Sequence, residues 1–145
     1  MSYYTRIFGV VFSLLLFSTF ANAGTYLQGT VTAGGSAKSG ATAYLSCQGA
    51  NWIWASDYAT TGSDGSYAMT NEDTYYYYYT YYDYGPCGSY NSGNTFTSCQ
   101  VYAYPAWNDT TTAQSSYYAV DIDCDATLTQ DIEMPLKDKI IRLSV

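Results

Sequence analysis

Polar and apolar residues alternate one for one along much of the chain beyond residue 24. Leu27, Gly29, Val31 and Ala33 fall on one side of Thr25 to Ala33, and Tyr26, Gln28, Thr30 and Thr32 fall on the other, the period of a half-buried strand. A Gly-rich turn spans Gly34 to Gly40. Ala41, Ala43, Leu45 and Cys47 then alternate with Thr42, Tyr44, Ser46 and Gln48, which predicts a first hairpin with Cys47 aimed at the core. Gly49-Ala50-Asn51 breaks the pattern, and Trp52-Ile53-Trp54-Ala55 resumes it. At Ser63-Asp64-Gly65-Ser66 the Asp-Gly pair supplies the positive-φ positions of a tight hairpin turn. Tyr67 and Met69 face inward after it, and Asn71-Glu72-Asp73 forms another turn.

The next stretch is the most unusual in the chain. Of the eleven residues from Thr74 to Tyr84, eight are tyrosine. Tyrosine favours pleated, half-buried surfaces over helices, so the run is expected to form one long central strand. Tyr75, Tyr77, Tyr79 and Tyr81 would line one face, and Tyr76, Tyr78 and Tyr82 the other. Breakers crowd Gly85 to Asn94. Thr95 to Tyr104 reads as a strand and Pro105 to Ser115 as a polar loop. Tyr118, Val120, Ile122 and Cys124 then face in, with Asp121, Asp123 and Asp125 out. Leu128, Ile132 and Met134 continue inward in a closing strand, with Thr127, Thr129, Asp131 and Glu133 opposite. The resulting class is all-β, an antiparallel two-sheet sandwich of about seven to eight strands. Lys137 to Val145 is expected to add an edge strand within the chain; pairing with another copy is the alternative that natural edges guard against.

Residues 1–23 stand apart from this pattern. Arg6 precedes an apolar run from Ile7 to Phe20, and Ala21-Asn22-Ala23 has the small-x-small form of a signal-peptidase site. The run is shorter than the ~20 residues a membrane-spanning helix needs. The reading is a cleaved signal peptide and one domain, 24–145, exported to the extracellular space or periplasm, with no membrane insertion after cleavage. Without Arg6 the remaining chain carries four basic against twelve acidic residues, a net charge of about −8 that disfavours nucleic acid and anionic lipid.

Four cysteines, Cys47, Cys87, Cys99 and Cys124, in an exported chain imply two disulfides. Of the three pairings, the favoured one joins Cys87 with Cys99, closing a short Gly/Ser/Asn-rich loop, and Cys47 with Cys124, tying strands distant in sequence. A zinc site is disfavoured because the chain has no histidine and no C-x-x-C pair.

Three segments together resemble the carboxypeptidase regulatory-like domains, which are prealbumin-like (transthyretin-like) sandwiches. Leu27-Gln28-Gly29-Thr30-Val31-Thr32, with Ser39-Gly40-Ala41-Thr42-Ala43-Tyr44-Leu45 after the Gly-rich turn, is similar to the family's opening hairpin. Ala59-Thr60-Thr61-Gly62-Ser63-Asp64-Gly65-Ser66-Tyr67 is similar to its Thr-x-x-Asp-Gly-x-Tyr/Phe signature, and Leu128 to Met134 to its closing strand. The resemblance implies a non-catalytic folding, adhesion or binding module. Residues 85–117 depart from the pattern and look like an insertion. The Lys-to-Asn isopeptide bond of related collagen-adhesin repeats is not expected, because the first strand has no lysine.

The chemistry open to such a chain is narrow. Without histidine there is no Ser-His-Asp or Cys-His arrangement, and each cysteine has a disulfide partner, so an enzyme is not expected. Asp121-x-Asp123-x-Asp125 opens like an EF-hand loop, but Ala126 stands where the turn needs glycine and Ile132 where the bidentate glutamate belongs. Those three aspartates are the weak candidates for calcium, and no other cofactor is implied. Trp52, Trp54 and Trp107, with Tyr76, Tyr78 and Tyr82, make a candidate aromatic platform for a protein or polysaccharide partner. Asn108-Asp109-Thr110 matches the N-glycosylation sequon. The leading expectation is a matrix, cell-surface or adhesion module acting by surface contact. A carbohydrate-binding module is the alternative, and self-assembly through the C-terminal strand a further one.

Overall fold

The computed structural model describes residues 24–71, 74–76, 81–83, 85–88, 91 and 93–137, with backbone alone for 74–76 and 81–83. The proposed signal peptide, the turn at Glu72-Asp73, the tyrosines at 77, 78, 79 and 84, and the tail from 138 lie outside these residues. Up to Leu136 the regular structure described is strand, with one 3-10 turn at Ala50–Trp52.

Two sheets hold the core between them. In the first, β1 (Thr25–Ala33) is central, and the short β2 (Ser36–Ala37) and β5 (Ser66–Thr70) pair with it antiparallel. In the second, β4 (Trp54–Thr60), β3 (Thr42–Gly49), β8 (Phe96–Tyr104) and β9 (Tyr118–Val120) lie side by side in that order. Inward residues of both sheets form one buried cluster, in which Leu27, Val31, Met69, Ile132 and Met134 meet Ala43, Leu45, Cys47, Ala55, Val101 and Ala103. Ala59, Ala43 and Ala103 stand in one row across three strands of the second sheet, leaving room for the larger side chains opposite.

The strands were legible, but several pairings differ from expectation. The predicted first hairpin, Thr25 to Ala33 with Ala41 to Cys47, does not form. β1 turns through Gly34 and Gly35, both at positive φ, into β2, and the chain then crosses to the second sheet to make β3. Two amphipathic strands can satisfy their apolar faces by opposing each other across a core as well as by lying side by side. Likewise the Asp64-Gly65 turn forms, with Gly65 at φ 78, but it joins β4 in one sheet to β5 in the other instead of closing a hairpin. Asp64 Oδ1 accepts from the Ser66 amide at 3.0 Å and the Ser66 hydroxyl at 2.6 Å, and these bonds hold its carboxyl below the usual range.

The sandwich is not wholly antiparallel. The closing strand is two short pieces, β10 (Leu128–Thr129) and β11 (Ile132–Glu133), which pair parallel to β1 at one constant register, Leu27 with Leu128 and Val31 with Ile132. The parallel sense is possible because the chain arrives by a crossover from β9 in the other sheet. Between the pieces the Gln130 carbonyl presses on Gly29, where a Cβ would lie 2.0 Å from it, and accepts a bond from the Tyr67 hydroxyl at 2.6 Å. The Asp131 carboxylate accepts from the Thr30 amide at 2.9 Å, where the ladder is interrupted.

Tyr26, expected to face outward, is buried. A register irregularity between Thr25 and Leu27 turns it inward, where its hydroxyl donates to Asp57 Oδ2 at 2.5 Å. The long central tyrosine strand is also overturned. β6 (Thr74–Tyr76) and β7 (Tyr81–Asp83) pair antiparallel as a separate two-stranded sheet, with Tyr75 opposite Tyr82 and Tyr76 opposite Tyr81. A run of one residue type has no apolar-polar alternation, so nothing in it specifies which face is buried or where the chain reverses.

Two disulfides form, but not with the favoured partners: Cys47 bonds Cys99, and Cys87 bonds Cys124. Cys47 and Cys99 are register partners on β3 and β8, both buried, with Cα atoms 4.1 Å apart. A Cys87–Cys99 bond would require the loop cysteine to enter the core face already filled by Cys47. Cys124 is exposed, in a turn beyond β9. The alternation from Tyr118 to Cys124 therefore describes a strand only as far as Val120.

Candidate functional site

The outer face of the second sheet is assembled from the polar halves of four alternating strands. β4 contributes Trp54, Ser56, Tyr58 and Thr60; β3 contributes Thr42, Tyr44, Ser46 and Gln48; β8 contributes Ser98, Gln100, Tyr102 and Tyr104; and Ala119 follows on β9. Not one of these side chains is ionisable as an acid or base near neutrality, in a chain of net charge −7. The outer face of the first sheet, by contrast, carries Asp131 and Glu133.

Register concentrates tyrosine on this uncharged face. Tyr58 and Tyr102 are the two cross-strand partners of Tyr44, so three phenols stand in one row across β4, β3 and β8. Tyr117, just before β9, extends the row: its ring meets that of Tyr102 edge-on at 4.8 Å between centroids, with an interplanar angle of 67°. Tyr102 also meets Tyr44 at 5.4 Å and 49°, and Tyr104 at 6.3 Å and 41°. Separations and tilts of this kind are favourable for aromatic quadrupoles. Tyr102 is half-buried beneath its neighbours, and its phenol is held above the usual range, first by that loss of solvent and then by the surrounding tyrosines. Tyr117 is 57% exposed, and Gln114 Nε2 donates to its hydroxyl at 3.2 Å.

The tryptophan candidates divide. Trp54 is on this face, opposite Gln48, and Trp52 is in the adjoining 3-10 turn at φ 62. Trp107 follows β8, whose last residue Tyr104 pairs with Thr42 at the other end of β3. Six residue steps along β3 separate Gln48 from Thr42, so the two ends are roughly 20 Å apart. Trp52 is 82% exposed and Trp107 97%. Tyr76 and Tyr82 lie on the separate β6–β7 hairpin, their side chains outside the described atoms, and Tyr78 is outside the described residues altogether.

Asp121, Asp123 and Asp125 are exposed in the turn after β9, not on the strand face expected for them, and Asp123 Oδ1 accepts from the Asp125 amide at 2.9 Å. Among the described residues no three histidine, cysteine, aspartate or glutamate side chains gather as a metal centre would need. The more organised carboxylate is Asp109. It accepts from the Thr111 amide at 2.8 Å, the Thr111 hydroxyl at 2.7 Å and the buried Thr112 hydroxyl at 2.5 Å, and pairs with Lys38 at 3.4 Å. These donors, Thr112 first, hold its carboxyl well below the ordinary range. Its neighbour Asn108, in the sequon, is exposed.

A groove of about 260 Å³ runs over Gln28, Gly29, Thr30, Ser66, Tyr67, Thr129 and Asp131. Its reactive groups are committed: the Tyr67 hydroxyl to Gln130, with burial and Asp131 raising its pKa, and Asp131 to Thr30. Among the described residues no helix is long and apolar enough to cross a membrane.

Sequence reading placed Tyr44 outward but left Tyr44, Tyr58, Tyr102, Tyr104 and Tyr117 out of the candidate set. The signal was present in the alternation of β3 and β8; what aligns these rings is a register between strands more than fifty residues apart. No protein-family model matches the chain, and neither curated proteins nor solved structures yield a significant match.

Proposed function

We propose that the chain is an exported, non-enzymatic β-sandwich module, prealbumin-like in kind, that acts by surface contact with extracellular protein through the tyrosine face of its second sheet. The observation that carries this reading is the absence of charge from that face in an otherwise acidic chain. An uncharged, phenol-rich surface gives contact area at low desolvation and entropic cost, since tyrosine has few rotatable bonds and a hydroxyl that bonds a partner or water. The face spans roughly 20 Å in each direction, about 400 Å² in projection, which suits a small, transient contact. Two disulfides accord with an oxidising compartment. The mutual tilts of the rings suit an irregular protein surface better than the flat stack of a sugar chain.

The test is binding of the purified protein to a panel of extracellular-matrix proteins and, in parallel, to a glycan array. Saturable binding to a protein, weakened about tenfold or more by Tyr104→Asp or Tyr117→Asp and unchanged by Asp125→Asn, is the expected result. Binding confined to glycans and lost in Trp107→Ala would instead establish the carbohydrate reading, which the near-complete exposure of Trp107 and Trp52 favours. No saturable binding in either arm refutes the assignment of a contact role to this face.

A further inference from the structure

The tyrosine face also brings phenols close enough to react with one another. Tyr102 is the hub: its ring lies 4.8 Å from Tyr117, 5.4 Å from Tyr44 and 6.3 Å from Tyr104. Tyr44, Tyr102 and Tyr104 are fixed on neighbouring strands, whereas Tyr117 sits outside any strand and is the most exposed of the four. No charged side chain of the sheet stands among them to repel an approaching oxidant or salt-bridge a partner.

We propose that Tyr102 and Tyr117 form a site of oxidative phenol coupling, a substrate for a peroxidase-type oxidant acting with hydrogen peroxide outside the cell. Each phenol loses one electron and one proton to give a phenoxyl radical, and the two electrons and two protons reduce one hydrogen peroxide to two waters. The radicals join through ring carbons ortho to the oxygens. The hydrogens on those carbons then transfer to the oxygens, restoring two phenols linked by one carbon-carbon bond, with a net loss of two hydrogens. Oxidation begins at exposed Tyr117 or Tyr104, and the hub position of Tyr102 gathers the radical where a second ring is within coupling distance. Backbone bonds from Ser115 to Ala103 and the pairing of Tyr118 with Val101 hold Tyr117 beside Tyr102, and its exposed side chain supplies the rotation that its edge-on approach requires. The product links the residue just before β9 covalently to β8. This inference is independent of whether the face binds protein.

The experiment treats the purified protein, disulfides intact and dilute enough to suppress coupling between copies, with a peroxidase and hydrogen peroxide. The monomer is then read by dityrosine fluorescence, intact mass and proteolytic peptide mapping. The expected result is a monomer lighter by two hydrogens whose principal cross-linked peptide joins Tyr102 to Tyr117. Tyr117→Phe keeps the ring and its packing but removes the phenol, and should abolish that peptide. Tyr104→Phe should retain it. Tyr102→Phe is the second variant, and circular dichroism verifies the fold of each. A cross-link mapped only to other tyrosines, such as the run from Tyr75 to Tyr84, or a product unchanged in folded Tyr117→Phe, overturns the proposal and leaves the ring cluster as packing alone.

Discussion

Replacing Gly29 by alanine tests the least intuitive feature of this fold, the closing strand lying parallel against β1. The added Cβ would stand 2.0 Å from the Gln130 carbonyl oxygen, whereas real Cβ contacts essentially never fall below 3.0 Å, so that backbone must retreat by about 1 Å. Three interactions meet at this point. The retreat breaks or lengthens the Tyr67 bond to Gln130, worth about 1 kcal/mol net, and the charge-assisted bond from the Thr30 amide to Asp131, worth roughly 1.5–3 kcal/mol. It also loosens Ile132 and Met134, which are buried in the core just beyond. The total is about 3–5 kcal/mol, a large part of the 5–15 kcal/mol that stabilises an ordinary domain. For a chain of this size the melting midpoint should fall by roughly 10–20 °C. Urea and thermal unfolding followed by far-ultraviolet circular dichroism provide the measurement. Gly35→Ala is the control: nothing lies within 4 Å of its Cβ position, so only the positive φ of 81° opposes it, at a cost of about 1–2 kcal/mol. If Gly29→Ala unfolds within experimental error of the native protein, the closing strand does not lie where the register puts it.

Three further outcomes follow from the same structure. Non-reducing peptide mapping should recover Cys47 with Cys99 and Cys87 with Cys124; recovery of Cys87 with Cys99 would refute the register of β3 on β8. Loop closures of 52 and 37 residues predict similar entropic stabilisation, roughly 4 kcal/mol each, so Cys47→Ala/Cys99→Ala should cost more than Cys87→Ala/Cys124→Ala only through the core volume it vacates. Asp109→Asn should lower the urea midpoint at neutral pH. The folded carboxyl is held below its unfolded value, so its stabilisation is present above the ordinary aspartate range near 3.9 and is lost as pH falls towards the folded pKa. The gap between the native protein and Asp109→Asn should therefore narrow as pH is lowered to about 2, and a gap that is constant with pH would exclude the charged network as its cause.

How far the sequence could be read depended on the range of the interaction concerned. Alternation placed Leu27, Val31, Ala43, Leu45, Cys47, Tyr67, Met69, Ile132 and Met134 inward, and all are buried. It failed at Tyr26, which a register irregularity turns inward beside Leu27, at Cys124, expected inward but exposed, and in the tyrosine run, where there was no alternation to read. Turn chemistry located Gly34-Gly35 and Asp64-Gly65 but not what they connect, because a φ angle constrains the chain only locally. For the candidate site, the outward positions were read on β3, and β8 was read as a strand without faces, while the gathering of Tyr58, Tyr44, Tyr102 and Tyr117 into one row was not legible.

The sequence alone therefore determined the β character of the chain, most of the core positions on β1, β3, β5 and the closing strand, the even cysteine count and the lack of histidine chemistry, since each depends on residue identity or on a two-residue period. Tertiary structure alone decided which strands pair, the parallel sense of the closing strand, the disulfide partners and the assembly of an uncharged tyrosine face. Those are contacts between segments far apart in the chain, and many pairings of amphipathic strands satisfy the same local pattern. Only packing both sheets on one core, with Gly29 admitting a carbonyl and Cys47 opposite Cys99, selects among them.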